Sequence, residues 1–254
     1  MRLIRLLAVV LTAGLLSGAL TWQAAEASLQ RASGQPAVGQ CRQLTMAQIG
    51  HASNQTAPIS CSRSHNSRVI AVPTLPRGVG WHELMRGGRV YKQAVSLCYP
   101  AFKATLGQTN AVRDRTAYTW LYFIPSDQQR AAGQRWIRCD LALRHASQYA
   151  ALPNDHVPAL SDSSPATRVA RCLRQVRGSF LTTPCSATHS YRATGTFSVA
   201  KTRYPGKTSL LQLGRSRCPS MVRSDSNFRW TWNNQTIWTR GHNHVVVCYT
   251  HSSQ

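Results

Sequence analysis

Acidic residues are scarce in this chain. Its 254 residues include 8 Asp+Glu against 30 Lys+Arg, a formal net charge of +22. Residues 166–254 hold a single acid, Asp225. A hydrolase that works through carboxylates needs two positioned acids. Such chemistry in both halves of the chain is therefore excluded, and one site in the first half has little to build on. Lysine is also rare: Lys92, Lys103, Lys201 and Lys207 leave arginine to carry the rest of the positive charge. Its planar fork favours carboxylate and phosphate partners. No cysteines form a C-x-x-C pair, which argues against a redox motif or a standard zinc knuckle. No Gly-x-Ser-x-Gly elbow offers a seat for a serine nucleophile. Beyond the first residues there is no second apolar run long enough to span a bilayer.

The N-terminus reads as a targeting segment. Arg2 and Arg5 precede an apolar run over residues 6–20, followed by the small-x-small pattern Ala25-Glu26-Ala27. Residues 1–27 are expected to be a signal peptide or N-terminal anchor, with 28–36 as a linker. Hydrophobic residues make up 43% of the chain, enough for a true core rather than a disordered tail.

Eight cysteines follow, in two sets of four: Cys41, Cys61, Cys98 and Cys139, then Cys172, Cys185, Cys218 and Cys248. An even count behind an export signal implies disulfides. In each set the second cysteine opens the same phrase, Cys61-Ser62-x-x-His65 and Cys185-Ser186-x-x-His189. Each phrase runs into a strand-like stretch, and in each set a glycine (Gly133, Gly241) precedes the last cysteine. The pattern implies a duplication: one copy over 37–145, a second over 166–254, and a Pro/Ser-rich linker over 146–165. Within each set three pairings are possible. A strand pair near each set's start would favour Cys41–Cys61 and Cys172–Cys185, leaving Cys98–Cys139 and Cys218–Cys248.

The expected fold class is α+β: two small disulfide-stapled domains, each a short antiparallel sheet with one helix. Residues 40–44, 69–72, 118–124 and 136–143 read as strands in the first copy, and 191–199, 228–232 and 244–249 in the second. Helical spacing runs over 88–106, interrupted by Pro100, with a shorter helix expected over 209–218.

His65 and His189 are the candidate functional histidines, because they recur at one spacing. A Cys-x3-His metal site would need a free thiolate and further ligands, so a structural histidine beside a disulfide is favoured over ligand contact. His242, His244 and His251 lie near the C-terminus and are expected at a solvated strand end. Arg229, Trp230, Trp232, Trp238 and Arg240 form an aromatic–basic cluster that could stack on sugars or bases and hold phosphates. The competing reading, core tryptophans alternating with exposed arginines on a half-buried strand, is preferred.

The phrase from Ile59 through Cys61, Ser62 and His65 to Val69, then Pro73 and Leu75-Pro76, Ala94 to Cys98, and Ala131-Ala-Gly133 to Cys139, resembles the septum-formation domain family of actinobacterial exported proteins. The second half repeats Pro184-Cys185-Ser186 and His189, then Cys218 and Cys248. The family usually places acids after the cysteine and three residues after the histidine. This chain has Arg63 and Arg68 there, and Ala187 and Arg192 in the second half. The resemblance implies an envelope or cell-division context and no particular reaction. The function expected is that of a non-catalytic, exported binding or scaffold protein without metal or cofactor. Its partner would be an anionic envelope polymer or membrane surface, reached without sequence-specific nucleic-acid recognition. The alternatives are a partner-binding module of a membrane division complex and a secreted hydrolase with an unrecognised site.

Overall fold

A computed structural model describes residues 34–86, 88–153, 160, 164–223 and 226–252. The leader expected over 1–27 and most of the linker at 28–36 lie outside the described residues. So do 154–159 and 161–163 of the expected central linker. The strands are β1 (Cys41–Arg42), β2 (Ser67–Ala71), β3 (Tyr118–Phe123), β4 (Arg138–His145), β5 (Gln148–Ala150), β6 (Arg171–Val176), β7 (Ser179–Pro184), β8 (Tyr191–Ser198), β9 (Phe228–Trp232) and β10 (Val245–His251). The helices are α1 (Met46–Gly50), α2 (Trp81–Met85), α3 (Arg89–Leu106), α4 (Asn110–Arg113), α5 (Asp127–Ala131), α6 (Lys207–Val222) and α7 (Gln235–Arg240).

Two antiparallel sheets organise these elements. The first has the order β1-β2-β4-β3, with β5 added to β4; the second has β7-β6-β8-β10-β9. The orders β1-β2-β4-β3 and β6-β8-β10-β9 are equivalent, and so is the register. Cys41 lies opposite Arg68, which lies opposite Leu141, which lies opposite Trp120. In the second sheet Cys172, Arg192, Thr250 and Phe228 form the same row. Because one residue of slip would turn every side chain to the other face, this shared register makes the two halves geometrically comparable. The disulfides follow it: Cys41–Cys61 and Cys172–Cys185 close the start of each half, while Cys98–Cys139 and Cys218–Cys248 tie the long helix to the third strand of the row order.

Each long helix covers one sheet. In α3 the buried positions Val90, Ala94, Val95, Cys98, Tyr99, Phe102 and Leu106 give a wide apolar face. The helix continues through Pro100, which sits exposed, so the interruption expected there does not occur. In α6 the buried stripe is narrow, Leu210, Gly214, Cys218 and Val222 at every fourth residue. Gly214 has a packing reason: a Cβ there would overlap the indole of Trp230. The glycines that look alike in sequence differ in role. Gly133 takes a left-handed φ of +82° after α5, whereas Gly241 lets the chain pass the ring of Tyr99.

Each half keeps an apolar cluster of its own, and the two share a further one. Val38–Gln254 is one compact unit. A single apolar cluster joins Val95, Tyr99, Phe102, Leu106 and Leu141 of the first half to Val169 and Ile237 of the second. The segment expected to be a linker contributes to it. Leu152 and Leu160 are buried there, and their amides donate to His65 O (2.8 Å) and Leu106 O (2.7 Å). Chain pairing crosses the halves as well, through an antiparallel bridge between Thr116 and Ala170.

Candidate functional site

The histidines of the repeated phrase are buried. His65 is 1% exposed and His189 3%. In each, Nδ1 lies within hydrogen-bond distance of the carbonyl two residues back, Arg63 O at 2.9 Å and Ala187 O at 2.8 Å. A carbonyl only accepts, so Nδ1 carries the proton. Cys61 and Cys185 are both in disulfides, so neither supplies a thiolate. The repeated phrase therefore shapes a turn beside each first disulfide. Among the described residues no group of three or more His, Cys, Asp or Glu could hold a metal ion.

The aromatic–basic cluster does not form one surface. Trp238 is fully buried, its Nε1 donating to Lys201 O at 3.0 Å and its ring stacked on His244. Trp230 and Trp232 are half-buried in the core of the second half, and Trp232 Nε1 donates to Tyr204 Oη at 3.1 Å. Strand alternation turns Arg229 to the opposite face, where its guanidinium lies over Phe180 and Tyr191. Arg240 is exposed and donates to Ser96 Oγ on α3. The five residues therefore share no single surface: the tryptophans pack in the second half, and the two arginines reach different elements.

A cleft of about 560 Å³ opens instead where the two halves meet. Three groups of residues line it. The first is an aromatic wall. Trp120 and Tyr122 project from one face of β3, the edge strand of its sheet, and Tyr91 of α3 lies parallel to Trp120 at 6.1 Å and 6°. All three rings are half-buried, so each keeps surface for a ligand. Burial raises the phenols of Tyr91 and Tyr122 above their ordinary value and keeps them protonated.

The second group is polar. Asp114 follows α4 and is 9% exposed. Asn243 Nδ2 donates to it at 3.0 and 2.9 Å, and Asn233 Nδ2 at 3.0 Å. Asn243 Nδ2 also lies 2.7 Å from Tyr99 Oη, and Asn234 Nδ2 donates to Tyr91 Oη at 2.8 Å. Burial pushes the Asp114 carboxyl above the usual carboxylate range; Arg171 and the two asparagine amides pull the other way and are outweighed.

The third group is cationic. Arg113, Arg144 and Arg171 all reach the cleft. Arg113 is used internally, donating to Gly107 O, Gln108 O and Asn110 Oδ1. Arg171 donates to Asp114 O at 3.1 Å and to Thr182 Oγ1 at 3.3 Å, while its Nε has no partner among the described residues. Arg144 lies over the Tyr149 ring at 4.8 Å. Among the described residues neither Arg144 nor Arg171 is in an ion pair; Asp127 and Asp140 pair with Arg130 and Arg138. The cleft's lining offers aromatic stacking, amide, hydroxyl and carboxyl hydrogen bonds, and guanidinium charge.

None of this forms a local motif. The lining residues run from Ile49 to Ile237. One sequence signal did point there: Tyr118, Trp120 and Tyr122 alternate on a strand, and Asp114 is one of few acids in a basic chain.

Residues 82–248 match the family described as septum formation, as one continuous match over more than half of the chain. It begins beyond His65 and spans both halves, so it does not divide the chain into two family copies. No curated protein and no solved structure matches the chain.

Proposed function

The chain belongs to the septum-formation family, and from that premise we propose that it is a non-catalytic binding protein of the cell envelope whose site is the cleft between its two halves. Four disulfides fit an exported protein. No helix among the described residues is long and apolar enough to cross a membrane. The observation that carries the reading is that Arg144 and Arg171 both line the cleft and that neither is in an ion pair among the described residues. Guanidinium groups whose charge no carboxylate neutralises favour an anionic partner. The equivalent strand order, register and disulfides support a second part of the proposal, that the halves are diverged copies of one unit.

Co-sedimentation with washed cell-envelope fragments tests it. The disulfide-intact protein should sediment with them, release as salt rises, and lose retention when Arg144→Gln removes a positive charge from the cleft. Retention that ignores salt and the substitution, or no retention, would refute the proposal. Turnover of envelope polymers by the wild type would restore the hydrolase reading.

A further inference from the structure

The outer edge of β3 is open to the cleft. The strand is the last in its sheet and pairs only with β4. Its register fixes where the backbone groups point. Tyr118 lies opposite Leu143, and the amide of Arg144 donates to Ala117 O at 2.9 Å. That pattern makes Thr119, Leu121 and Phe123 the residues that exchange hydrogen bonds with β4. The N–H and C=O groups of Trp120 and Tyr122 therefore point outward, and no described residue takes them. Pairing resumes on the outer side at both ends. The Ala117 amide donates to Val169 O at 2.8 Å, and the Ile124 amide donates to Ala52 O at 2.9 Å. The stretch between these contacts, Tyr118 to Tyr122, lines the cleft without a break. Such a stretch spans roughly 16 Å at ~3.3 Å per residue, room for an incoming strand of similar length.

Proteins blunt an open strand edge with charge, proline or a bulge. The equivalent strand of the second half is blunted so: Arg229 of β9 stands where β3 has Leu121. By contrast β3 reads Tyr-Thr-Trp-Leu-Tyr-Phe, with no charge, no proline and no shift of register. Residues 119–122 are all half-buried. Alternation puts Trp120 and Tyr122 on one face and Thr119 and Leu121 on the other, so a neighbouring strand would find side chains to pack on above and below.

We infer that the cleft receives an extended acidic peptide segment of a partner protein, which adds to β3 as a further strand and hydrogen-bonds to the backbone of Trp120 and Tyr122. This rests on the proposed reading of the cleft as the site for an anionic partner and assigns that partner's class. Backbone bonds supply affinity, and the alternate side chains supply specificity. The acidity follows from the charge of the chain, 30 Lys+Arg against 8 Asp+Glu, whose field repels a basic segment. The same charge opposes a second copy in this position. A second β3, held in its own sheet, also cannot enter a position bounded by Val169 at one end and Ala52 at the other, whereas a short flexible segment can.

Selection from a display library of random nonapeptides on the full disulfide-bonded protein tests it. Enriched peptides should be rich in Asp and Glu, with β-branched or aromatic residues at alternate positions, and poor in Pro, Lys and Arg. Calorimetric titration of the leading synthetic peptide gives its affinity. N-methylation of every second residue should weaken it by about tenfold or more (~1.4 kcal/mol) in one phase and little in the other, because one edge of an added strand faces β3. Leu121→Glu gives β3 the edge charge it lacks and should weaken the peptide by a similar factor, with a melting curve to show that the variant folds. On the wild type, bound peptide should slow hydrogen exchange at the amides of Trp120 and Tyr122 and leave those of Thr119 and Leu121 unchanged, a readout that needs no variant. The inference is overturned by a library that enriches no peptide or only basic ones, by equal effects of the two N-methylation phases, or by unchanged exchange at Trp120 and Tyr122. Protection of those two amides that rises with protein concentration alone would assign the edge to a second copy and overturn it too. If envelope fragments are still retained through Arg144 but no peptide docks, the strand assignment fails and the cleft remains a binding site. If neither binds, the cleft reading fails with it.

Discussion

Burial pushes the carboxyl of Asp114 above the usual carboxylate range, against the pull of Arg171 and the asparagine amides. A raised carboxyl holds its proton more tightly in the folded chain than in the unfolded one. Its contribution to stability is therefore complete below the unfolded value of ~3.9 and is lost as pH rises through the folded value. We predict that the melting temperature of Asp114→Asn falls less than that of the wild type as pH rises from about 4 towards neutrality. Asparagine imitates the neutral acid and keeps an oxygen to accept from Asn243. Parallel curves for the two proteins would show that the carboxyl does not titrate in that window. The same residue scale explains why the histidines misdirect a search for chemistry. Each repeated histidine is buried beside a disulfide, with the carbonyl two residues back holding its Nδ1.

The long helices do different work on equivalent sheets. Four residues before its disulfide cysteine, α3 has Ala94 and α6 has Gly214. Opposite Cys139 on β3 stands Tyr122, and opposite Cys248 on β9 stands Trp230. The larger ring of the second half requires the smaller helix residue. Gly214→Ala should destabilise the protein by about 1–3 kcal/mol through overpacking, although alanine is the better helix former by about 1 kcal/mol. Chemical denaturation measures it, and a stabilised variant would mean that Trp230 has room to move. The helix α3 was legible from its apolar spacing and α6 only as the shorter helix expected over 209–218, while β3, β4, β8, β9 and β10 were legible from their aromatic and β-branched runs. The hairpin of β6 and β7 was missed because Arg171, Arg174 and Gln175 interrupt any apolar alternation in it. The short helices were missed because four to six residues are too few to show a helical period, yet Thr45 with Gln48 and Ser126 with Gln129 form capping boxes that mark two of them.

At the scale of the whole molecule, the halves depend on each other. Ile237 and Val169 complete a core built mainly by the first half. Lys103 Nζ donates to Gly241 O and Asn110 Nδ2 to His242 O across the junction. Halves that complete a common apolar cluster should unfold as one unit. We predict a single denaturant transition with coincident near- and far-ultraviolet dichroism, and poor cooperativity in a fragment of residues 166–254, which would expose Ile237 and leave Asn243 without Asp114 and Tyr99. Two separated transitions in the full chain would show independent domains. Co-sedimentation and titration belong to this scale too, because the cleft exists only where the halves meet.

The amino-acid sequence by itself determined the basic charge, the α+β class, the two sets of four cysteines and the repeated phrase that marks each half. These properties are written in composition and in short spacings, which folding does not rearrange. Only the tertiary structure decided that the second-half tryptophans are core, that the expected linker is partly buried, and that Tyr91, Asp114, Trp120, Arg144, Arg171 and Asn234 share one cleft. Their separation along the chain carries no local signal. They meet because the shared apolar core leaves the halves one way to bury Ile237, Leu152 and Leu160 together, and the cleft is the space that this packing leaves open.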